Sequence, residues 1–195
     1  MSKNRLEAFS DAVIAIVLTI MVLELKISGS ADLAALRSVL PAFLSYVLSF
    51  VFLGIYWSNH HHMLHATETV TGGVLWANLH LLFWLSLVPA ATAWMGGTHF
   101  ASLTLAVYGV VLLCCAIAYT ILQNTIIRAQ GADSVLAEAV GSDTKGKISL
   151  VCYVAAIALA YVWRPASGAL YVLVALIWLV PDRRIESRIV DAPAE

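Results

Sequence analysis

From Ala12 to Leu23 every position except Thr19 is apolar, and this run is flanked by Asp11 on one side and Glu24 on the other. A run that is oily on all sides carries no readable periodicity, so its polar interruptions hold the information. The same holds further on. No Asp, Glu, Lys or Arg occurs between residues 38 and 67, and none between 69 and 127. A bilayer core is crossed by about 20 apolar residues per helix, so these uncharged stretches have room for about three spans.

Placing breaks at the turn-forming residues divides the chain into six predicted helices, at about residues 6–26, 33–57, 74–95, 102–127, 148–163 and 165–180. Ser28-Gly29-Ser30 punctuates after the first and Gly96-Gly97 after the third. The polar stretch 130–147, with Gly131, Gly141 and Gly146, reads as the longest loop, with room for a short helix over 133–140 capped by Asp133 or Ser134. Arg164-Pro165 splits the last apolar block into a tight hairpin, because a residue before proline and a mid-membrane arginine both disfavour one continuous helix. Pro41 and Pro89 fall inside spans, where membrane helices tolerate them as kinks. Residues 1–182 thus form one all-α transmembrane domain, followed by a short polar tail over 183–195.

Composition supports the membrane reading. The 195 residues are 61% hydrophobic and 12% charged, with a mean hydropathy of +0.87, whereas soluble domains carry about 25% charged residues. A net charge of −1 offers nothing to nucleic acid. Cys114, Cys115 and Cys152 all lie in apolar segments and read as small packing residues rather than a disulfide framework. Glu7 and Asp11 stand where a cleaved signal peptide avoids acids, so the first helix reads as retained. With the N-terminus inside, Lys3, Arg5, Arg128, Lys145, Lys147, Arg183, Arg184 and Arg188 fall on the inner side, against Lys26, Arg37 and Arg164 outside. That asymmetry places both termini in the cytoplasm of a cell-membrane protein. Trp57, Trp94 and Trp163 sit at predicted helix ends, as interfacial tryptophans do.

The candidate chemistry is sparse. Ile16, Thr19, Ile20 and Leu23 share a helix face by their i, i+3, i+4, i+7 spacing, yet lipid or core packing accounts for such a stripe equally well. Asp11 asks for more. A carboxylate near lipid costs up to roughly 2.5–3.5 kcal/mol at a helix centre and less toward the interface, so it needs a partner or water. Arg5 on the same helix is one candidate, and polar groups in the second and third helices are others. "YWSNHHHMLH" (56–65) and "WANLHLLFW" (76–84) put His61, Asn78 and His80 at a depth similar to Asp11. His61 and His65 have the i, i+4 spacing of metal ligands. With no cysteine and only Glu68 nearby in sequence, they read as an interfacial patch rather than a metal or haem site, so no resident metal or cofactor is expected. No phosphate loop, nucleophile elbow or paired intramembrane carboxylates point to an enzyme.

Arg5-x-x-x-Phe9-Ser10-Asp11 on a first transmembrane helix resembles the signature of the transmembrane protein 175 family of potassium-permeable channels. The six spans, the Trp57-x-x-x-His61 pattern and Asn78 agree with it, so the resemblance covers nearly the whole chain. A single six-helix repeat resembles the bacterial type, which implies a homotetramer in lipid conducting monovalent cations. The resemblance further implies that the first helices line the pore. Ile16 would form the narrowest hydrophobic constriction, Thr19 a hydroxyl layer favouring potassium, and Ile20 and Leu23 further parts of the stripe. Phe9, Ser10 and Asp11 would instead hold the pore helix through groups such as Trp57, His61 and Asn78. No Thr-Val-Gly-Tyr-Gly filter is present, so selectivity is expected to be modest. The residues alone leave open a secondary transporter coupling protons or cations through Asp11, and a non-transporting haem carrier or scaffold.

Overall fold

The computed structural model describes residues 2–25, 32–131, 133–141 and 143–179. All regular structure there is helical: α1 (Lys3–Leu23), α2 (Leu33–His65), α3 (Gly72–Ser86), α4 (Val88–Gly97), α5 (Ser102–Gln130), α6 (Val135–Val140), α7 (Thr144–Val162) and α8 (Arg164–Leu179). The predicted break at Ser28-Gly29-Ser30, the tail over 183–195 and the charges at Lys26, Arg183, Arg184 and Arg188 lie outside the described residues.

Helix starts follow local capping chemistry. Asp32 accepts a hydrogen bond from the Ala35 amide, Thr71 from Val74, Ser134 from Ala137 and Asp143 from Gly146. Each side chain satisfies one amide that the first turn leaves unpaired. Among the described residues, five segments are long and apolar enough to cross a membrane: α1, α2 from Ala35, α3 with α4, α5 and α7. With 16 described residues, α8 is shorter.

Two boundaries differ from the sequence reading, and the hairpin at Arg164-Pro165 stands where it was expected. The third span is not one helix but α3 and α4 meeting at Leu87, because Pro89 has no amide hydrogen to return to the preceding turn. The second helix runs to His65 rather than 57, so the whole histidine cluster is helical. It ends with the Ala66 amide bonded to the His62 carbonyl. At the other hairpin, α7 stops at Val162, Trp163 is extended (φ −152°, ψ 90°), and Pro165 falls in the first turn of α8, where a missing amide hydrogen costs nothing. Ser167 Oγ then donates to the Ala156 carbonyl at 2.7 Å and latches the two helices together.

The core is built around α5, which packs against α3, α4, α7 and α8. Two glycines set close helix approaches, Gly109 on α5 toward α8 and Gly96 on α4 toward α2. A Cβ on Gly109 would sit 2.1 Å from the Tyr171 hydroxyl, and one on Gly96 would sit 2.6 Å from the Ala42 Cα in α2. Several hydroxyl groups inside this bundle are paired. Ser49 Oγ lies 2.9 Å from Tyr108 OH and 2.7 Å from Thr92 Oγ1, linking α2, α4 and α5. Such pairing offsets the desolvation that an unmatched hydroxyl would suffer in an apolar interior.

Candidate functional site

Helix α1 has one covered face and one bare face. Leu6, Ser10, Ile14, Val17 and Met21 are buried against the neighbouring α2, α3 and α4. Their spacing of four, four, three and four residues is the inward stripe of a helix. Ile16, Thr19, Ile20 and Leu23 are all exposed, Leu23 to 75%. An apolar row this bare has its contacts outside the single chain, in lipid or in other subunits. Thr19 is its one polar member. Its hydroxyl donates to the Ile16 carbonyl at 2.8 Å, so its hydrogen is spent within the helix while the oxygen lone pairs remain available. An open groove bordered by Val13, Ile16, Ile20, Pro89, Ala93 and Trp94 runs beside this row, between α1 and α4.

At the N-terminal end of α1, a set of polar groups ties it to two other helices. Asn78 on α3 donates through Nδ2 to Ser10 Oγ at 2.9 Å, and Ser10 in turn donates to the Leu6 carbonyl at 2.8 Å. His60 on α2 sits with Nε2 2.7 Å from Asn78 Oδ1. Because that amide oxygen only accepts, the hydrogen belongs on Nε2, and His60 Nδ1 is left buried as an acceptor without a partner among the described residues. Ser10, His60 and Asn78 are all fully buried. Nearer the surface, the Trp57 indole donates to Asp11 Oδ1 at 3.1 Å, and His61 Nδ1 lies 3.0 Å from Glu7 Oε1. The Lys3 ammonium donates to the His65 carbonyl, a further α1–α2 tie.

The structure thus brings Ser10 to Asn78 and Asp11 to Trp57, and it sorts the remaining candidates. His61 reaches Glu7, a residue to which the sequence reading gave no role. Arg5 is exposed, and among the described residues it pairs with no carboxylate. Six residues separate it from Asp11, about one and two-thirds turns, so the two point to different sides of α1. Phe9 is half exposed. His80 accepts from the Trp84 indole at 3.0 Å on the outer face of α3 and stays out of the network.

The residue missed by sequence reasoning is His60, and a signal for it existed. Phe52, Leu53, Met63 and Leu64 are the buried positions flanking it on α2. Extending that helical stripe from Leu53 by seven residues lands on His60, not on His61.

These features define a multi-pass, all-helical membrane protein whose first helix is knotted to its neighbours on one face and bare on the other. Residues 5–89 match the family model described as "Endosomal/lysosomal potassium channel TMEM175". A protein of Chryseobacterium sp. (strain P1-3) named a potassium channel is 54% identical over 186 residues, covering 95% of this chain and 97% of that one. A rat protein named endosomal/lysosomal proton channel TMEM175 is 40% identical over 87 residues, 36% of this chain and 17% of that protein. In fold, the chain is similar to the crystal structure of a lysosomal potassium-selective channel TMEM175 homolog from Chamaesiphon minutus. The TM-score is 0.81 at 24% identity, over 92% of this chain and 97% of that one. The chain belongs to the TMEM175 family.

Proposed function

We propose that this chain is one subunit of a potassium-permeable channel, and that the bare stripe of α1 faces the ion path in an oligomer. The observation that carries the reading is the two-sidedness of α1. Its inward row is fully packed by α2, α3 and α4, while Ile16, Thr19, Ile20 and Leu23 are left exposed. Closing several such stripes around an axis gives each of them partners. A homotetramer follows the family resemblance, with the groove beside α4 available to the neighbouring copy's first helix.

In this arrangement the function follows from elementary hydration physics. A ring of isoleucine at position 16 makes a constriction that water leaves readily, so an ion crosses only after shedding part of its shell. One turn on, a ring of Thr19 oxygens with their hydrogens directed into the helix restores some coordination. Potassium sheds water at lower cost than sodium, so it is favoured, modestly. The buried Ser10–Asn78–His60 knot holds the stripe in register. Both termini lie in the cytoplasm, and the membrane is the cell membrane. Asp11, bonded to the Trp57 indole between two helices, is employed as a fastener rather than as the ion-coupling group of a transporter.

The test is a bilayer recording of purified protein under a potassium/sodium gradient, for wild type and Ile16→Asn. A reversal potential displaced toward potassium, with raised conductance in the variant, is the expected result. Silence from both proteins while tracer exchange persists would overturn the channel in favour of a transporter.

A further inference from the structure

We infer that Glu7, Asp11 and His61 form a binding site for a transition-metal dication of the zinc type, bridging α1 and α2. One ligand atom from each of these residues lies within 4.8 Å of the others. The ligands of a tetrahedral zinc ion stand about 3.3–3.6 Å apart, given bonds of about 2.0–2.2 Å, so small side-chain adjustments close the site. Glu7 Oε1 and His61 Nδ1 are already 3.0 Å apart.

The donor set selects the ion. Two carboxylates and an imidazole suit zinc and its neighbours, whereas magnesium and calcium prefer oxygen alone. Two negative charges balance a dication, and the neutral imidazole adds none. His61 is pre-oriented. Its ring stacks on Trp57 and on His65, with centroids 6.3 and 6.2 Å away, while Nδ1 faces Glu7. The Trp57 indole occupies Asp11 Oδ1 and leaves the second carboxylate oxygen to turn toward the ion. This is the supporting donor that metal ligands usually have. The His61 side chain is 45% exposed, so an ion has an entry path and water can complete its coordination. The cationic groups near this end of α1 are Lys3, directed to the His65 carbonyl, and Arg5, which is exposed.

Such an ion would pin the start of α1 to the end of α2. If α1 must shift for the pore to conduct, the bound metal holds current down. That consequence rests on the channel reading, whereas the binding itself does not.

Calorimetric titration of tag-free, detergent-solubilised protein with zinc chloride tests the site. The expected result is saturable binding of one zinc ion per chain, weakened at least tenfold in Glu7→Gln and in His61→Ala. His65→Ala should remain within twofold of wild type. No saturable binding by wild type would overturn the site, as would unchanged affinity in either Glu7→Gln or His61→Ala. Loss of binding in His65→Ala would place any zinc on the histidine patch instead. Recordings with and without zinc then read the restraint: inhibition of wild type that is lost in His61→Ala supports it, and equal currents with zinc bound overturn it. Absence of current from every protein, with zinc still bound, would count against the channel and leave the metal site standing.

Discussion

Asn78 on α3 donates to Ser10 on α1 across 2.9 Å, with both residues fully buried. This bond joins the first helix to the bundle on the face opposite its bare stripe. Asn78 is used at both ends, since its oxygen also meets His60. Replacing it by alanine leaves the buried His60 Nε2–H unpaired and also takes the amide donor from Ser10, which keeps its bond to the Leu6 carbonyl. A buried group left without its partner costs about 1–3 kcal/mol. Asn78→Ala should therefore lower stability by at least that much, read as a fall in the thermal unfolding midpoint in detergent. Asn78→Ala should also cost more than Ser10→Ala, which strands only the Asn78 amide. Equal losses in the two variants would show that His60 contributes nothing to the knot.

The Trp57–Asp11 bond is more open to solvent. Trp57→Phe keeps an aromatic face for His61 and removes only the indole donor. Hydrogen bonds to a charged group contribute about 1.5–3 kcal/mol when well enclosed, and here exposure reduces this, so a loss of about 1 kcal/mol is expected. The double variant Trp57→Phe/Asp11→Ala should lose clearly less than the sum of the single changes, since either change alone already removes the bond. Additive losses would show that the two side chains act independently.

Gly109 and Gly54 make a matched pair. A methyl group at Gly109 would meet the Tyr171 hydroxyl at 2.1 Å and Ile157 Cγ1 at 2.8 Å, whereas one at Gly54 meets nothing within 4 Å. Overpacking of this kind costs about 1–3 kcal/mol, while alanine is favoured over glycine in a helix by about 1 kcal/mol. Gly109→Ala should unfold at a lower temperature than wild type, and Gly54→Ala at the same or a higher one. Adding Tyr171→Phe to Gly109→Ala should recover part of the loss, since it removes the nearest atom. A failure to recover any of it would assign the cost to the contacts that remain, Ile157 Cγ1 at 2.8 Å and the Tyr171 ring carbon Cζ at 2.9 Å.

Much of this architecture is legible along the chain, because charges, prolines and glycines mark the limits of the spans. Arg164-Pro165 announces the α7–α8 turn, and Pro89 announces a disturbance in the third span without saying that it divides the helix. What stays hidden has a physical cause. The sequence around His60–His65 looks like a polar helix end, yet these residues continue α2 because the stripe through Leu53, His60 and Leu64 is buried on one side. Glu7 and His61 are 54 residues apart, and no local pattern pairs them; only the packing of α1 on α2 does. The exposed row on α1 has the opposite problem. In a run where nearly every position is apolar, sequence cannot say which face is covered, and that becomes visible only once Leu6, Ile14, Val17 and Met21 are seen to be buried.

The bare row leads to the most specific expectation about conduction. Thr19 is exposed, and its hydrogen goes to the Ile16 carbonyl, so its outward chemistry is that of an acceptor oxygen. Valine has the same shape and no oxygen. At an exposed position Thr19→Val should change stability by no more than about 0.5 kcal/mol, which separates an effect on permeation from an effect on folding. In a potassium/sodium gradient, Thr19→Val should bring the reversal potential closer to zero, while Thr19→Ser, which keeps the hydroxyl, should stay near wild type. If Thr19→Val and wild type reverse at the same voltage, the hydroxyl has no part in ion preference. The discrimination would then belong to the constriction at Ile16 alone, where partial dehydration is the only selective step.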